Sequence, residues 1–220
     1  MIEIKSNVVG RLRTNSYLVW NPETMEGFIT DPGRGLDDIL TSIREEGVKV
    51  QGILLTHAHF DHSGMAEQAR EALKVPIIAG EKEEETLENP EYNLSGIYTK
   101  YPFSLKADLL YKDGDEFTMA GFRIRVLGTP GHSQGGVCFY IPAEKILLSG
   151  DSLFAGTYGI THHPTGNHRA MICSVERLVT ELPEDTLVYP GHGRTTTIAI
   201  EKAGNPARAE YAMLSEEEAQ

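Results

Sequence analysis

Residues 56–62 read THAHFDH and come straight after the apolar run GILL at 52–55. Three histidines and an aspartate within six positions, at the end of what reads as a buried strand, each need a partner, because an imidazole or carboxylate taken out of water alone is costly. A metal site, a proton-transfer site or a chance polar loop would each account for the cluster. The flanking run VQGILLT (50–56) is apolar enough to be covered on both faces, as a strand inside a layered α/β sheet is. Other apolar strands lead into similar polar turns: TPGHS (129–133) after IRVL, SGDS (149–152) after ILL and YPGHG (189–193) after TLV. Strand ends at one rim of a sheet stack converge in space although they are distant in sequence. Their metal-capable side chains are His57, His59, Asp61, His62, His132, Asp151 and His192. Seven donors exceed the three or four that one zinc takes and suit two ions, with one carboxylate bridging and an open position for water on each. The glycines of PGHS and PGHG fit, since a ligand on a tight turn needs backbone freedom. Taken singly, His132 or His192 reads as a hydrogen-bonded loop residue and Asp151 as a turn or capping residue. The density of the HxHxDH cluster decides for metal.

Around this cluster the chain alternates β-rich and helical stretches. IEIKS, NSYLVW and GFITDPG read as strands with turns, and LDDILTSIREEG as a helix with Leu36, Ile39, Leu40 and Ile43 on one face and Gly47 as its cap. In SGMAEQAREALK, Ser63 is the expected N-cap and Met65, Ala69, Ala72 and Leu73 the apolar stripe. VPIIAG returns as a strand. Residues 89–108 show no clean period, which suits a lid or binding loop. Two hairpins are expected, turning near Ala120-Gly121 and Ala143-Glu144. A helix then carries Met171, Ile172, Val175, Leu178, Val179 and Leu182 inward, DTLVYPGHG is a last strand, and a short helix lies around TTTIAIEKAG. The order, β-rich then helical, twice over, predicts two packed sheets with helices outside, in one domain spanning 1–220.

With 220 residues, 40% hydrophobic and 24% charged, the chain has the composition of an ordinary globular protein. A net charge of -12 argues against a large nucleic-acid surface, while leaving room for a small anionic substrate beside a metal. Cys138 and Cys173 form no CxxC pair and lie among apolar residues, so both are expected to be buried free thiols in a reducing compartment. The start lacks a leader pattern and no apolar run approaches spanning length, so a cytoplasmic protein without membrane contact is expected.

THAHFDH, TPGHS, SGDSLFAG and YPGHG, in this order and spacing, together with TNSYLV (14–19) and ITDPG (29–33), resemble the metallo-β-lactamase superfamily, and within it the glyoxalase II-type hydrolases. The resemblance implies a four-layer αββα sandwich with the site at one rim. It implies that His57, His59 and His132 bind one divalent ion and Asp61, His62 and His192 a second, with Asp151 bridging. Zinc is the expected metal, iron or manganese the alternatives. A hydroxide held between the ions would attack the carbonyl of a small thioester or ester, with Asp61 orienting it. Glyoxalase II enzymes typically carry Lys or Arg nine residues after the bridging Asp, where this chain has Ile160, and longer members have a C-terminal helical extension that only about twenty residues here could replace. Tyr158, Ile160 and His162 are therefore the expected substrate-pocket residues, His163 and His168 read as solvated, and Tyr98, Tyr101 and Phe103 form a candidate aromatic wall. A mononuclear-iron persulfide dioxygenase on the same scaffold is the alternative reading. A nuclease and a non-catalytic metal-binding protein rank below it.

Overall fold

The computed structural model describes residues 1–218. The first sheet runs β1 (Glu3–Val9), β2 (Thr14–Asn21), β3 (Glu26–Thr30), β4 (Lys49–Leu54), β5 (Ile77–Gly80) and β6 (Leu109–Tyr111), each hydrogen-bonded to the next. The second is built from β7 (Glu116–Met119), β8 (Phe122–Gly128), β9 (Val137–Ile141), β10 (Ile146–Gly150), β11 (Leu187–Pro190) and β12 (Thr196–Thr197), likewise in chain order. Both begin antiparallel. They turn parallel where a helix forms the crossover: α1 (Leu36–Glu46) between β3 and β4, and α6 (His168–Glu181) between β10 and β11. Shorter helices are α2 (Phe60–Ser63), α3 (Ala66–Leu73), α4 (Glu84–Glu88) and α5 (Ser95–Tyr98), and the chain closes with α7 (Ile198–Gly204) and α8 (Pro206–Glu218). Among the described residues no helix is long and apolar enough to cross a membrane.

Period-two alternation explains the layers. Along β2, Tyr17 and Val19 face the second sheet while Leu18 and Trp20 face the outer helices; in β9, Val137, Phe139 and Ile141 face inward, and Cys138 and Tyr140 outward. Strands apolar on both sides must be covered on both sides, so three separate cores form. One lies between the sheets, one under α1 and α3, and one under α6 and α8. The result is the αββα sandwich. The hairpin turn at Ala120 and Gly121 has φ of 51° and 80°, the double left-handed geometry that matches strand twist. Gly47, at φ 69°, ends α1 as expected.

Three expectations are corrected. Ser63 does not cap α3: it ends α2, where its hydroxyl donates to Ala58 O at 2.6 Å, and Met65 occupies the start of α3 without a side-chain cap. Of the expected stripe, Met65, Ala69 and Leu73 pack on the core together with Ala66, whereas Ala72, one step of 100° round the helix from Leu73, is exposed. Cys138 is buried, but Cys173 sits on the solvent side of α6.

The inter-sheet layer carries the fold. Phe139→Ala is expected to remove about 3–5 kcal/mol of stability, whereas Leu109→Ala, on an edge strand and 46% exposed, should stay within about 0.5 kcal/mol. Urea unfolding of the two variants measures the difference.

Candidate metal centre

The carboxyl ends of β3, β4, β8, β10 and β11 open onto one rim, where ligands of layered α/β sheets gather. Asp31, just past β3, anchors the turn after β4: Thr56 donates to its carboxylate through both N–H and hydroxyl, at 2.8 Å each. Asp31 holds the left-handed region at φ 45°, a conformation that costs a non-glycine residue about 1–2 kcal/mol and that these two bonds help to offset. The single turn of α2 then brings Asp61 and His62 back over the strand ends. Gly33 lies so close beneath that a Cβ there would stand 1.3 Å from Asp61 O.

All seven predicted donors meet at this rim. His59 Nδ1 is 2.8 Å from His132 Nε2, and the His57 ring lies 4.7 and 4.8 Å from theirs. Beside them, His62 Nε2, His192 Nε2 and Asp61 Oδ2 form a triangle with sides of 3.4, 3.3 and 3.5 Å. Asp151 stands between the groups, with Oδ1 3.3 Å from His62 and Oδ2 3.5 and 3.4 Å from His132 and His192. Within each of the sets His57/His59/His132, His57/His62/Asp151 and Asp61/His62/His192, the donor atoms lie within 4.8 Å of one another. Two atoms bound to one zinc at about 2.0–2.1 Å in tetrahedral geometry stand roughly 3.3 Å apart, so the second triangle already has the spacing of one ion's shell. Buried His57 Nε2 and Asp151 Oδ1 have no hydrogen-bond partner. An orphaned donor set of this chemistry fits divalent metal ions.

A surrounding set of hydrogen bonds aims the donors. His132 Nδ1–H donates to Ile160 O at 2.7 Å, which leaves the Nε2 lone pair free to face the site. Thr14 Oγ1 donates to Asp61 Oδ2 at 2.9 Å. The Asn15 amide donates to Pro190 O and Gly193 O, and Tyr17 OH to Pro190 O, which pins the turn carrying His192. Glu83, fully buried, accepts from Ala58 N, Gly135 N and Ser133 Oγ at 2.8, 2.8 and 2.6 Å, and so ties the His57–His59 loop to the His132 loop. Nothing in the run EKEEETLE (81–88) marks Glu83 out. Its signal is only that it falls three residues after the end of β5.

The electrostatics are those of a site that attracts cations. Burial holds His57 and His59 well below the usual imidazole range, so their lone pairs are available. Burial also opposes charge on His62 and His192, yet Asp151 and Asp61 outweigh it; His62 is raised well above its ordinary value and His192 to about 9. Burial pushes against ionisation of Asp61, but His62 and His192 pull it down to about 2, and the same neighbours hold Asp151 well below the carboxylate range.

A cleft of about 1070 Å³ opens over the donors, walled by Leu12, Phe60, Tyr98, Tyr101, Phe154 and Ile160. Of the expected substrate residues, Ile160 lines it. Tyr158 does not: its hydroxyl donates to Glu210 on α8 at 2.6 Å. His162 is exposed and turned outside the cleft wall, while its neighbour His163 takes the place, 6.0 Å from the His59 ring and 5.8 Å from Tyr98. The turn at 164–166 sets this choice, and histidine order alone does not reveal it. His168 is solvent-facing and pairs with Glu210. In the 89–108 segment, Tyr98 and Tyr101 form the wall, but Phe103 packs on the outer core beside Leu105.

With fold and donors in place, comparison gives the family. The profile of the metallo-beta-lactamase superfamily matches residues 9–192, and the chain belongs to that superfamily. A relative in Bacillus subtilis (strain 168), the probable metallo-hydrolase YqgX, is 35% identical over 90% of this chain and 93% of its own. Hydroxyacylglutathione hydrolase GloC of Haemophilus influenzae is 31% identical over 90% and 94%. Among solved structures, the BLEG-1 B3 metallo-beta-lactamase superposes with a TM-score of 0.87 at 36% identity, over 93% of this chain and 98% of that one. TTHA1623 in a di-iron-bound form gives 0.81 at 33%, over 92% and 98%.

A Cβ at Gly191 would fall 2.2 Å from Asp151 Oδ1 and 2.6 Å from His62 Cε1. Gly191→Ala should therefore lower metal uptake at least about tenfold, the scale of a disturbed ligand shell, with far-UV circular dichroism unchanged; elemental analysis reads the loss. Burial lifts the Glu83 carboxyl to about 7, against the pull of its three donors, from an ordinary 4.5. Its contribution to stability is therefore complete below about 4.5 and is lost as pH rises through about 7. Urea midpoints of chelator-treated protein should show the wild-type margin over Glu83→Gln shrinking across that window.

Proposed function

We propose that the protein is a hydrolase with two divalent ions, acting on a small thioester or ester. The observation that carries this reading is the pairing of two donor triads across Asp151, below a cleft large enough for both halves of such a substrate. The resemblance to GloC supports the thioester, and the di-iron form of TTHA1623 supports a two-ion site that also accepts iron.

His57, His59 and His132 would hold one ion, Asp61, His62 and His192 the other, and Asp151 both. When bound, such ions supply a Lewis acid and lower the pKa of the water they hold to roughly 7. The chain's own groups do the positioning. Asp61, held by Thr14, keeps its carboxylate at the cleft floor, where it would orient the attacking water. His163, on the wall beside His59, helps to exclude bulk water. Phe60, Tyr98 and Phe154 supply an apolar wall for the substrate.

The test is elemental analysis of untagged protein together with S-lactoylglutathione hydrolysis. Close to two ions per chain, hydrolysis abolished by chelation, and a kcat loss of about 100-fold or more in Asp61→Asn are expected. One iron per chain with oxygen uptake on a persulfide would instead establish the dioxygenase chemistry.

A further inference from the structure

Three cations line the same cleft as the donors, each from a different segment: Arg11 in the β1–β2 turn, Arg34 ahead of α1, and Lys100 after α5. The chain carries a net charge of -12, and many of its basic side chains are held in ion pairs, as Lys5 is with Glu46, Arg70 with Asp108, Arg123 with Glu116 and Arg177 with Asp113. Arg11 and Arg34 have no carboxylate partner among the described residues, and the contact of Lys100 is the face of Tyr101, 5.3 Å from its ring centre. The two arginines are neighbours by construction. Gly10 packs on Arg34, where a Cβ would meet Arg34 Cβ at 3.2 Å, and Arg11 is the next residue.

From these observations we infer that Arg11 and Arg34, supported by Lys100, bind an anionic group of the substrate. Guanidinium groups present paired N–H donors that match carboxylate and phosphate oxygens. Unpaired cations at the mouth of a cleft also raise the local concentration of an anion above that near an otherwise acidic surface. Walls formed by Leu12, Tyr98 and Tyr101 lie in the same cleft, so the substrate is amphipathic: an apolar stem with its carbonyl at the floor and an anion at the rim. The inference deepens the thioester or ester reading and rests on it for the carbonyl at the floor, though the recognition itself requires only binding.

The test uses metal-loaded protein and three thioethers that cannot be hydrolysed: 3-(benzylthio)propanoate, its primary amide, and 2-(benzylthio)ethyl phosphate. Calorimetric titration should show the anions binding at least about tenfold more tightly than the amide, a preference that weakens with salt. In Arg11→Ala/Arg34→Ala the anion-to-amide ratio should fall toward one, with a smaller fall in Lys100→Ala. Far-UV circular dichroism and metal content of both variants should match the wild type, which separates loss of anion recognition from loss of structure. The carboxylate-to-phosphate ratio identifies which anion is preferred. Equal binding of anion and amide by the wild type would overturn the inference. So would a preference that survives in the double variant, because the anion would then sit on the metals. These readouts are independent of turnover, so absence of S-lactoylglutathione hydrolysis would discard that substrate and leave the anion site standing.

Discussion

Three carboxylates, those of Asp31, Asp61 and Asp151, approach the fully buried ring of His62 to between 3.2 and 3.5 Å. Negative charge at that density, at the bottom of a protein cleft, is stable only if matched by positive charge. The surrounding architecture meets that demand. Despite burial, Asp151 and Asp61 favour the charged form of His62 and His192, which offsets part of that negative charge, and the neutral rings of His57 and His59, each with a buried Nε2 that has no hydrogen-bond partner, leave the remainder to a bound cation. Four of the carboxyl-terminal strand ends bring these groups together, and β2 adds Thr14, Asn15 and Tyr17 from its opposite end. A sandwich with both faces of each sheet covered is rigid enough to hold such a set in register.

The two halves of the chain solve the same problem separately. In each, antiparallel strands lead to a helical crossover and a parallel neighbour, and in each the turn before the crossover carries a buried aspartate: Asp31 after β3, Asp151 after β10. The first faces His62 from the outer side and organises Thr56; the second faces the cavity. One topology thus yields a structural carboxylate and a ligand-like one.

Much of this was legible in the sequence. HxHxDH after a two-faced apolar strand announces both a layered sheet and a cluster of donors, and the other three polar turns follow apolar strands in the same way. The alternation in β2 and β9 and the helical stripe of α6 likewise follow from local periodicity. What was not legible depends on long-range contacts. Tyr158 is drawn away from the cleft by Glu210, fifty-two positions later. His163 rather than His162 faces the site because of the bend that follows them. Glu83 looks like one acid in a solvated run until its three donors are seen. Cys173 follows Ile172 in an apolar stretch, yet one further step of 100° around α6 takes it to solvent. Motifs record which chemistry is present; distant partners decide the direction in which each side chain points.

The contact of Gly33 with the Asp61 backbone has a consequence for how such proteins diverge. Each donor-bearing turn rests against backbone or donor atoms of another: Gly33 beneath Asp61, Gly159 beneath Asp151, Gly191 between Asp151 and His62. An inserted residue in any one of them would displace groups in its neighbours, so these turns are constrained to change together or not at all. The exposed tips at 10–13 and 97–101 bear no such interlock. Length and composition can drift there at little cost, and the same reaction centre can be inherited intact while selectivity is rewritten at its rim.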